Sequence, residues 1–243
     1  MTEPKELTFR VFRYKQGDSA PHYDSFTMMC DANTMLLAAL QDIRRDHAPD
    51  LTLRHSCGHA SCGTCGMKVN GSEQLACVVR VLELGSLTIT VEPLEHIPLV
   101  SDLVVDMPDF FTRYAAPGMP YIRASEVNPE AELPEGVATY TRFENCLECG
   151  ICVSACPVVG SDPEYLGPAA LAAAGRIVTE PRGTDAAAAL AWVDSEHGCW
   201  RCHVAFECSM ACPSAVDPAG EIMGLRRRLT ADRLRNIFSF DRK

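Results

Sequence analysis

Hydrophobic and polar residues alternate near the start of the chain, where short strands are predicted. Leu7, Phe9 and Val11 are separated by polar residues, and this period of two is typical of a half-buried strand. A Gln-Gly-Asp turn signal follows, and a return strand is predicted over residues 22–29. The opening of the chain therefore predicts a two-stranded hairpin.

The pattern then changes to a helical period and returns to strands. Apolar residues between Leu36 and Ile43 recur at spacings of three and four, with Asn33 or Thr34 as the candidate N-cap. The first half of the chain is therefore predicted to be α+β. Two further strands are predicted at Met67–Val69 and Ser86–Val91, with the turn dipeptide Asn70-Gly71 between them.

The C-terminal half is predicted to be helical. Gly167-Pro168 and Asp217-Pro218 each place proline at a first helical position, and Asp185–Val193 and Ile222–Leu229 have helical composition. Between the halves, residues 115–136 carry four prolines and are predicted to be irregular. The predicted organisation is a domain over 1–108, a linker over 109–137 and a helical domain over 138–243.

Composition and charge narrow the function classes. The chain has 243 residues, of which 47% are hydrophobic, enough to bury real cores. Its formal charge of −10 is unlike a basic nucleic-acid surface, so nucleic acid is not an expected partner and other protein subunits are. No run reaches the ~18–20 apolar residues that span a bilayer, and the N-terminus lacks a secretory signal. We therefore expect a peripheral protein held at a membrane, if at all, by other subunits.

The thirteen cysteines are the dominant feature of the composition. Their number is odd and nothing indicates an oxidising compartment, so a disulfide framework is not expected. Twelve of them fall into three groups, at residues 57–77, 146–156 and 199–212, while Cys30 stands alone. Such clustering indicates metal or redox chemistry.

The first group has the spacing of a plant-type [2Fe–2S] site, with four, two and eleven residues between successive cysteines. Interleaved glycines permit the sharp bend that turns three sulfurs inward. A structural zinc site is the alternative. A Rieske centre would need two histidines in place of two cysteines, so His55 and His59 are interpreted as loop residues. The predicted ligands are Cys57, Cys62, Cys65 and Cys77.

The second group is a complete bacterial ferredoxin run that ends in Cys156-Pro157. The third group repeats it with Ala205 in place of the middle cysteine. Because the last cysteine of each run ligates the other cluster, the two runs predict one complete [4Fe–4S] site and one site with three ligands, which favours [3Fe–4S]. Cys199 and Cys30 are interpreted as buried free thiols. The predicted sets are Cys146, Cys149, Cys152 and Cys212 for [4Fe–4S], and Cys156, Cys202 and Cys208 for [3Fe–4S].

The order of these motifs resembles the iron–sulfur subunit of succinate dehydrogenase and quinol:fumarate reductase. The motifs that carry the resemblance cover nearly the whole chain: Arg54-His55-Ser56-Cys57, Cys62-Gly63-Thr64-Cys65-Gly66, Asn70-Gly71, Leu75-Ala76-Cys77, Asp102-Leu103-Val104-Val105-Asp106-Met107, Gly167-Pro168-Ala169-Ala170 and Arg201-Cys202-His203.

The resemblance implies a plant-type ferredoxin (β-grasp) domain followed by an all-helical bacterial-ferredoxin-like domain. It implies electron transfer between a FAD-containing flavoprotein subunit and a quinone, either menaquinone or ubiquinone, near membrane-anchor subunits. The family's quinone-border positions match Pro157 and His203, and Trp200 lies beside them in sequence. The tryptophans often found after that proline are absent, since Val158-Val159-Gly160 follows, which indicates a different quinone pocket.

These implications place the chain on the cytoplasmic face of a prokaryotic plasma membrane, without a transmembrane segment of its own. The sequence does not separate succinate oxidation from fumarate reduction, because small differences in the hydrogen bonds and burial around a cluster set its reduction potential. Other readings are a freestanding multi-cluster ferredoxin-like carrier and a subunit of a thiol-linked fumarate reductase or a glycerol-3-phosphate dehydrogenase relative.

Overall fold

The structure is a computed structural model that describes residues 3–116, 145–179 and 186–240. The chain forms two compact units that do not follow chain order. The first contains residues 1–107 and 147–155, and the second contains 108–146 and 156–243. A short segment from the middle of the chain thus belongs to the N-terminal unit.

The first unit is built on a five-stranded sheet. Strands β1 (Lys5–Arg13) and β2 (His22–Cys30) form the predicted antiparallel hairpin, and the apolar residues of β1 are buried. The remaining strands of this sheet are β3 (Gly66–Val69), β4 (Ser72–Leu75) and β5 (Thr88–Glu92). The spatial order is β2-β1-β5-β3-β4, with β5 parallel to β1 and the other neighbours antiparallel.

The turn dipeptide Asn70-Gly71 joins β3 to β4, a strand that the sequence pattern did not predict. Both residues have positive φ, 48° and 83°, as a tight hairpin turn requires. Strand β4 is short and only Leu75 in it is buried, so it carries too little alternation to be recognised.

Helix α1 (Leu36–Asp46) confirms the predicted helix, whereas the predicted cap is wrong. Met35 occupies the N-cap position and no side chain caps the helix. The hydroxyl of Thr34 instead bonds to the backbone N–H and the carboxylate of Asp31. That local turn stabilises the approach to the helix without satisfying its first N–H groups.

The rest of the first unit closes around a buried carboxylate. A two-stranded sheet is formed by β6 (Leu99–Ser101) and β7 (Val104–Val105), and Asp102 lies in the turn between them, fully buried. Its carboxylate accepts hydrogen bonds from the backbone N–H groups of Tyr14 (3.0 Å) and Thr52 (2.8 Å) and contacts Arg13 and Lys15. This carboxylate joins three separate stretches of the chain.

The described part of the second unit is helical. Its helices are α2 (Pro108–Ala115), α4 (Pro157–Ser161), α5 (Pro168–Thr179), α6 (Ala186–Val193), α7 (Glu207–Met210) and α8 (Pro218–Phe240), while α3 (Ile151–Ser154) belongs to the first unit. Helices α5 and α8 begin at the two predicted prolines, and α5, α6 and α8 pack around a shared apolar core.

The α+β and helical halves are confirmed, but the predicted domain boundaries stay a prediction. The predicted linker begins inside helix α2, and most of it, residues 117–137, lies outside the described residues. Within the described ranges, no helix is both long enough and apolar enough to cross a membrane.

Candidate metal centres

The four cysteines of the first group lie near one another, one pair partly exposed and one pair buried. Cys57 lies within electrostatic reach of Cys62, and Cys65 lies within reach of both Cys62 and Cys77. A [2Fe–2S] cluster needs four thiolate ligands, so this grouping suits it. In the described part of the chain, no three Cys, His, Asp or Glu side chains are arranged around one metal ion.

Hydrogen-bond donors surround the partly exposed pair. The backbone N–H groups of His59 and Ser61 donate to Cys57 Sγ at 3.4 and 3.3 Å. They lower the pKa of Cys57 to about 6, which favours the thiolate that binds iron. The Thr64 hydroxyl donates to Cys62 Sγ at 3.2 Å and lowers the pKa of that thiol as well. The loop is thus prepared for anionic sulfur.

The buried pair behaves differently. Cys65 is 3% exposed, and burial raises its pKa to about 12. Cys77 receives the backbone N–H of Ala60 at 3.3 Å, from a residue in the left-handed region (φ 57°). A buried thiolate at Cys65 needs a positive partner, which iron supplies. The donor set therefore fits a cluster.

The imidazole rings of the two histidines in this loop have hydrogen-bond partners other than sulfur. Both are exposed. The His59 ring nitrogen bonds to the carbonyl oxygen of Cys57 at 2.6 Å, and His55 lies 3.4 Å from the Gln41 amide. Their positions fit loop residues rather than Rieske ligands.

The loop that carries Cys57, Cys62 and Cys65, here called the two-iron loop, packs directly against the second cysteine run. Gly63 has φ +69°, and a Cβ there would lie 2.6 Å from the Leu147 carbonyl oxygen and 2.7 Å from Cys149 Cβ. At Gly66, a Cβ would meet Ile151 Cγ1 at 3.3 Å. These glycines let the loop touch the backbone of a predicted [4Fe–4S] ligand within one compact unit.

The two later cysteine runs share one backbone conformation. Glu148 and Gly150 have positive φ in the first run, and Val204 and Phe206 have positive φ at the matching places in the second. A four-residue helix follows each pair, and the same pattern of backbone hydrogen bonds closes it. This correspondence supports the alignment that sets Ala205 opposite Cys149.

The three cysteines predicted to hold [3Fe–4S] interact with one another inside the second unit. Cys156 and Cys208 are buried, and each pair among Cys156, Cys202 and Cys208 is within electrostatic reach. Burial, reinforced by the neighbouring thiolates, raises the pKa of Cys208 to about 12. Two buried thiols and one partly exposed thiol that converge in this way would need a cationic core between them to ionise, which fits a cluster.

The four cysteines predicted for [4Fe–4S] are each partly exposed. Cys149 and Cys152 belong to the first compact unit, whereas Cys146 and Cys212 belong to the second. Cys212 Sγ accepts the backbone N–H of Val216 at 3.4 Å. This ligand set stays a prediction from the sequence.

The two cysteines interpreted as free thiols lie in apolar surroundings. Cys199 is fully buried in the helical core, and burial raises its pKa to about 11. The charged groups that influence it are Arg226, Asp194 and Arg233. Cys30 is 1% exposed and donates to the Met28 carbonyl oxygen at 3.8 Å. Both positions fit packed core thiols.

The three residues predicted to border a quinone all reach the surface. Pro157 opens helix α4, and His203 is exposed beside Cys202. Trp200 is 37% exposed, and its indole N–H donates to Asp194 at 2.6 Å. Arg233 lies 5.0 Å from the centre of the indole ring, so the ring is held in place.

Sequence reasoning missed two residues of the second unit. Arg226 donates to the carbonyl oxygens of Cys199 (2.7 Å), Trp200 (2.9 Å) and Cys202 (2.5 Å) and so fixes the ligand loop. Tyr165 is buried in the core that also contains Cys156 and Cys202, and burial, with these cysteines nearby, raises the pKa of its hydroxyl. Arg226 stands in a run of three arginines and Tyr165 in an ordinary loop, so neither carried a distinguishing signal.

Two family models match the chain in the order that its cysteines predict. A 2Fe-2S iron-sulfur cluster binding domain matches residues 8–112, and a 4Fe-4S dicluster domain matches residues 142–216. The two matches confirm that both kinds of iron–sulfur domain are present.

Curated relatives match over nearly their full length. The fumarate reductase iron-sulfur subunit of Escherichia coli O6:H1 is 39% identical, over 91% of this chain and 92% of that protein. The succinate dehydrogenase iron-sulfur subunit of Coxiella burnetii is 31% identical, over 92% and 97%. Among solved structures, a chain of the Mycobacterium smegmatis Sdh1 complex in the apo form has a TM-score of 0.81 at 22% identity, covering 95% of this chain and 98% of that one. The last match supports the fold.

Proposed function

Since the chain belongs to the family of succinate dehydrogenase and fumarate reductase iron–sulfur subunits, we propose that it relays electrons between a FAD-containing flavoprotein subunit and a membrane quinone. The observation that carries this proposal is the contact of the two-iron loop with the second cysteine run, made possible at Gly63. Loops in backbone contact give successive one-electron centres a short path between them.

The chain's own residues would hold three centres. When bound, iron–sulfur clusters supply one-electron donors and acceptors, whereas a flavin exchanges electron pairs with its substrate. Cys57, Cys62, Cys65 and Cys77 would hold [2Fe–2S], Cys146, Cys149, Cys152 and Cys212 would hold [4Fe–4S], and Cys156, Cys202 and Cys208 would hold [3Fe–4S]. The surrounding N–H donors and apolar core would set the potentials and exclude water.

The exposed surface of the third cysteine run supports a quinone and membrane-anchor subunits as partners there. Val204, Phe206 and Met210 are 38%, 41% and 78% exposed and lie between or beside the ligands Cys202 and Cys208. Val204 and Phe206 keep large side chains at backbone positions that favour glycine. Pro157, Trp200 and His203 would border the quinone. The complex would then lie on the cytoplasmic face of a prokaryotic plasma membrane.

Low-temperature EPR of the complex, purified without oxygen, tests the proposed centres. The dithionite-reduced protein should show one [2Fe–2S] and one [4Fe–4S] signal, and the oxidised protein one [3Fe–4S] signal. A colourless, iron-free preparation would contradict the proposal. Purification of the chain without a FAD-containing partner would argue instead for a freestanding carrier.

Replacing Ala205 with cysteine should convert the three-iron centre into a four-iron one. The variant restores the thiol that the aligned position of the first run carries at Cys149. The oxidised [3Fe–4S] EPR signal should disappear, and a second reduced [4Fe–4S] signal should replace it. Ala211→Cys is the matched control, since it adds a thiol to the same run at the position aligned with Ala155. An unchanged three-iron signal in Ala205→Cys would refute the alignment.

A further inference from the structure

The second part of helix α8 carries an apolar stripe that the described part of the chain leaves exposed. Leu234, Ile237 and Phe238 form this stripe and are 49%, 63% and 69% exposed. They follow one another at spacings of three and four, so their side chains share one face of the helix. Every residue from Arg233 to Phe238 is exposed, which shows that the helix leaves the core of its unit at this point.

The apolar stripe is separate from the helix face that packs in the core. Ile222, Leu225 and Leu229 of the same helix are 0%, 2% and 7% exposed. Leu234 lies about two and a half turns beyond Leu225, which places its side chain on the opposite side of the helix. Helix α8 is thus a core helix over its first part and presents a second apolar face outward over its second part.

The charge of this segment is opposite to that of the chain. Residues 226–238 contain five arginines and one aspartate, a net formal charge of +4, whereas the whole chain carries −10. Arg227 and Arg228 are exposed. The side chains of Arg233 and Arg235 remain 58% and 79% exposed although each pairs with an aspartate. At about 100° per residue, these last two arginines flank the apolar stripe on its two sides.

We propose that residues 227–238 lie on a bilayer surface that carries anionic phospholipid, with the apolar stripe inserted among the headgroups and the arginines against the phosphates. A helix with Leu and Phe on one face and arginines beside them is typical of an interfacial helix. Anionic headgroups supply the charge that the arginines complement, and they present it at the same boundary as apolar acyl chains. A protein partner would need an acidic surface around an apolar groove to match both features.

The surroundings of the segment agree with the proposed function, on which this inference rests. Arg233 lies 5.0 Å from the centre of the Trp200 ring, and Trp200 is one of the residues proposed to border the quinone. Both side chains donate to Asp194 Oδ1, each at 2.6 Å. The apolar stripe therefore begins beside the surface that would face the membrane. It would attach the chain to the bilayer directly, in addition to the attachment through anchor subunits.

Co-sedimentation of the intact, cluster-loaded chain with phospholipid vesicles tests the inference. The chain should bind vesicles that contain phosphatidylglycerol, and its affinity should fall as salt screens the arginines. Vesicles of phosphatidylcholine alone should bind roughly tenfold more weakly or less. The triple variant Leu234→Ser, Ile237→Ser, Phe238→Ser should lose roughly tenfold in affinity for the anionic vesicles. Arg227→Gln with Arg235→Gln should lose roughly thirtyfold, because each arginine near the surface contributes to binding.

A matched control removes a similar amount of exposed apolar surface from the first unit. Met29, Leu87 and Val100 are 61%, 67% and 48% exposed and lie outside helix α8. The triple variant Met29→Ser, Leu87→Ser, Val100→Ser should bind anionic vesicles as the wild type does, and cluster signals equal to those of the wild type would show that each variant is folded. Equal losses in the two triple variants, or equal binding of the wild type to both kinds of vesicle, would overturn the inference.

Photo-crosslinking in the complete complex separates a lipid from a protein partner. With Ile237→benzoylphenylalanine in a nanodisc that contains phosphatidylglycerol, irradiation should attach lipid to this chain. Crosslinks to another subunit alone would overturn the inference and leave the proposed electron transfer in place. An iron-free chain that still binds anionic vesicles through the apolar stripe would support the inference and contradict the proposed function.

Discussion

Alanine in place of Gly63 is expected to disrupt the two-iron loop and the cysteine run packed against it. A Cβ there would lie 2.6 Å from the Leu147 carbonyl oxygen and 2.7 Å from Cys149 Cβ, closer than such atoms approach in proteins. The left-handed backbone adds its own cost, and together strain and overpacking should destabilise the loop by about 2–5 kcal/mol. EPR spin quantitation should show a loss of intensity in both the [2Fe–2S] and the [4Fe–4S] signals, while the [3Fe–4S] signal keeps its intensity.

Gly58 offers the matched control for this variant. It lies in the same loop with φ +75°, but no atom lies within 4 Å of the position that a Cβ would take. Gly58→Ala should therefore cost only the backbone strain, about 1–2 kcal/mol, and keep both signals. Equal losses in the two variants would show that strain alone, and not the approach to Cys149, explains the effect.

The loss of the Asp102 carboxylate should destabilise the N-terminal unit by about 3–5 kcal/mol, because buried hydrogen-bond donors lose the acceptor that joins them. The Arg13 side chain is 8% exposed and lies 3.3 Å from Asp102, while Lys15 Nζ lies 2.5 Å from the same carboxylate. In Asp102→Ala, two backbone N–H donors also lose their acceptor. The temperature at which the [2Fe–2S] visible absorbance is lost should fall on the order of 15 °C.

A second carboxylate that pairs with Arg13 provides the control for this variant, and the pKa of Asp102 gives the direction of the pH dependence. Asp50 also pairs with Arg13 but is 63% exposed, so Asp50→Ala should cost below ~1 kcal/mol. Burial opposes ionisation of Asp102, but donors from Lys15, Thr52 and Tyr14 outweigh it and lower the pKa of Asp102. Its contribution is therefore present at neutral pH and is lost as the pH falls through that lowered pKa. Equal effects of the two substitutions would contradict the role of burial.

The sequence predicted those features that depend on short-range periodicity. The alternation in β1, the helical spacing of α1 and the prolines that open α5 and α8 all correspond to elements of the structure. Cysteine spacing predicted both iron–sulfur domains, because a cluster fixes where its ligands can stand along the chain.

The features that the sequence did not reveal depend on contacts between distant residues. Asp102 and Arg13 are separated by most of the N-terminal unit, and nothing local marks either as buried. Arg226 donates to the Cys202 carbonyl oxygen from helix α8, and Tyr165 lies in the same core as Cys202. Both are distant from Cys202 in sequence, and only the fold brings them near it. The N-cap of α1 failed for a related reason, because Thr34 bonds to a closer acceptor at Asp31.

The discontinuous N-terminal unit has a consequence for biosynthesis. Residues 147–155 pack with the sheet that residues 5–92 form, yet a ribosome makes them later, after an intervening stretch assigned to the other unit. Domains that are continuous in sequence can fold as they emerge, N-terminal first. Here the backbone against which Gly63 packs belongs to residues 147–155. The N-terminal unit therefore cannot complete its folding on the ribosome until that part of the second cysteine run has been translated.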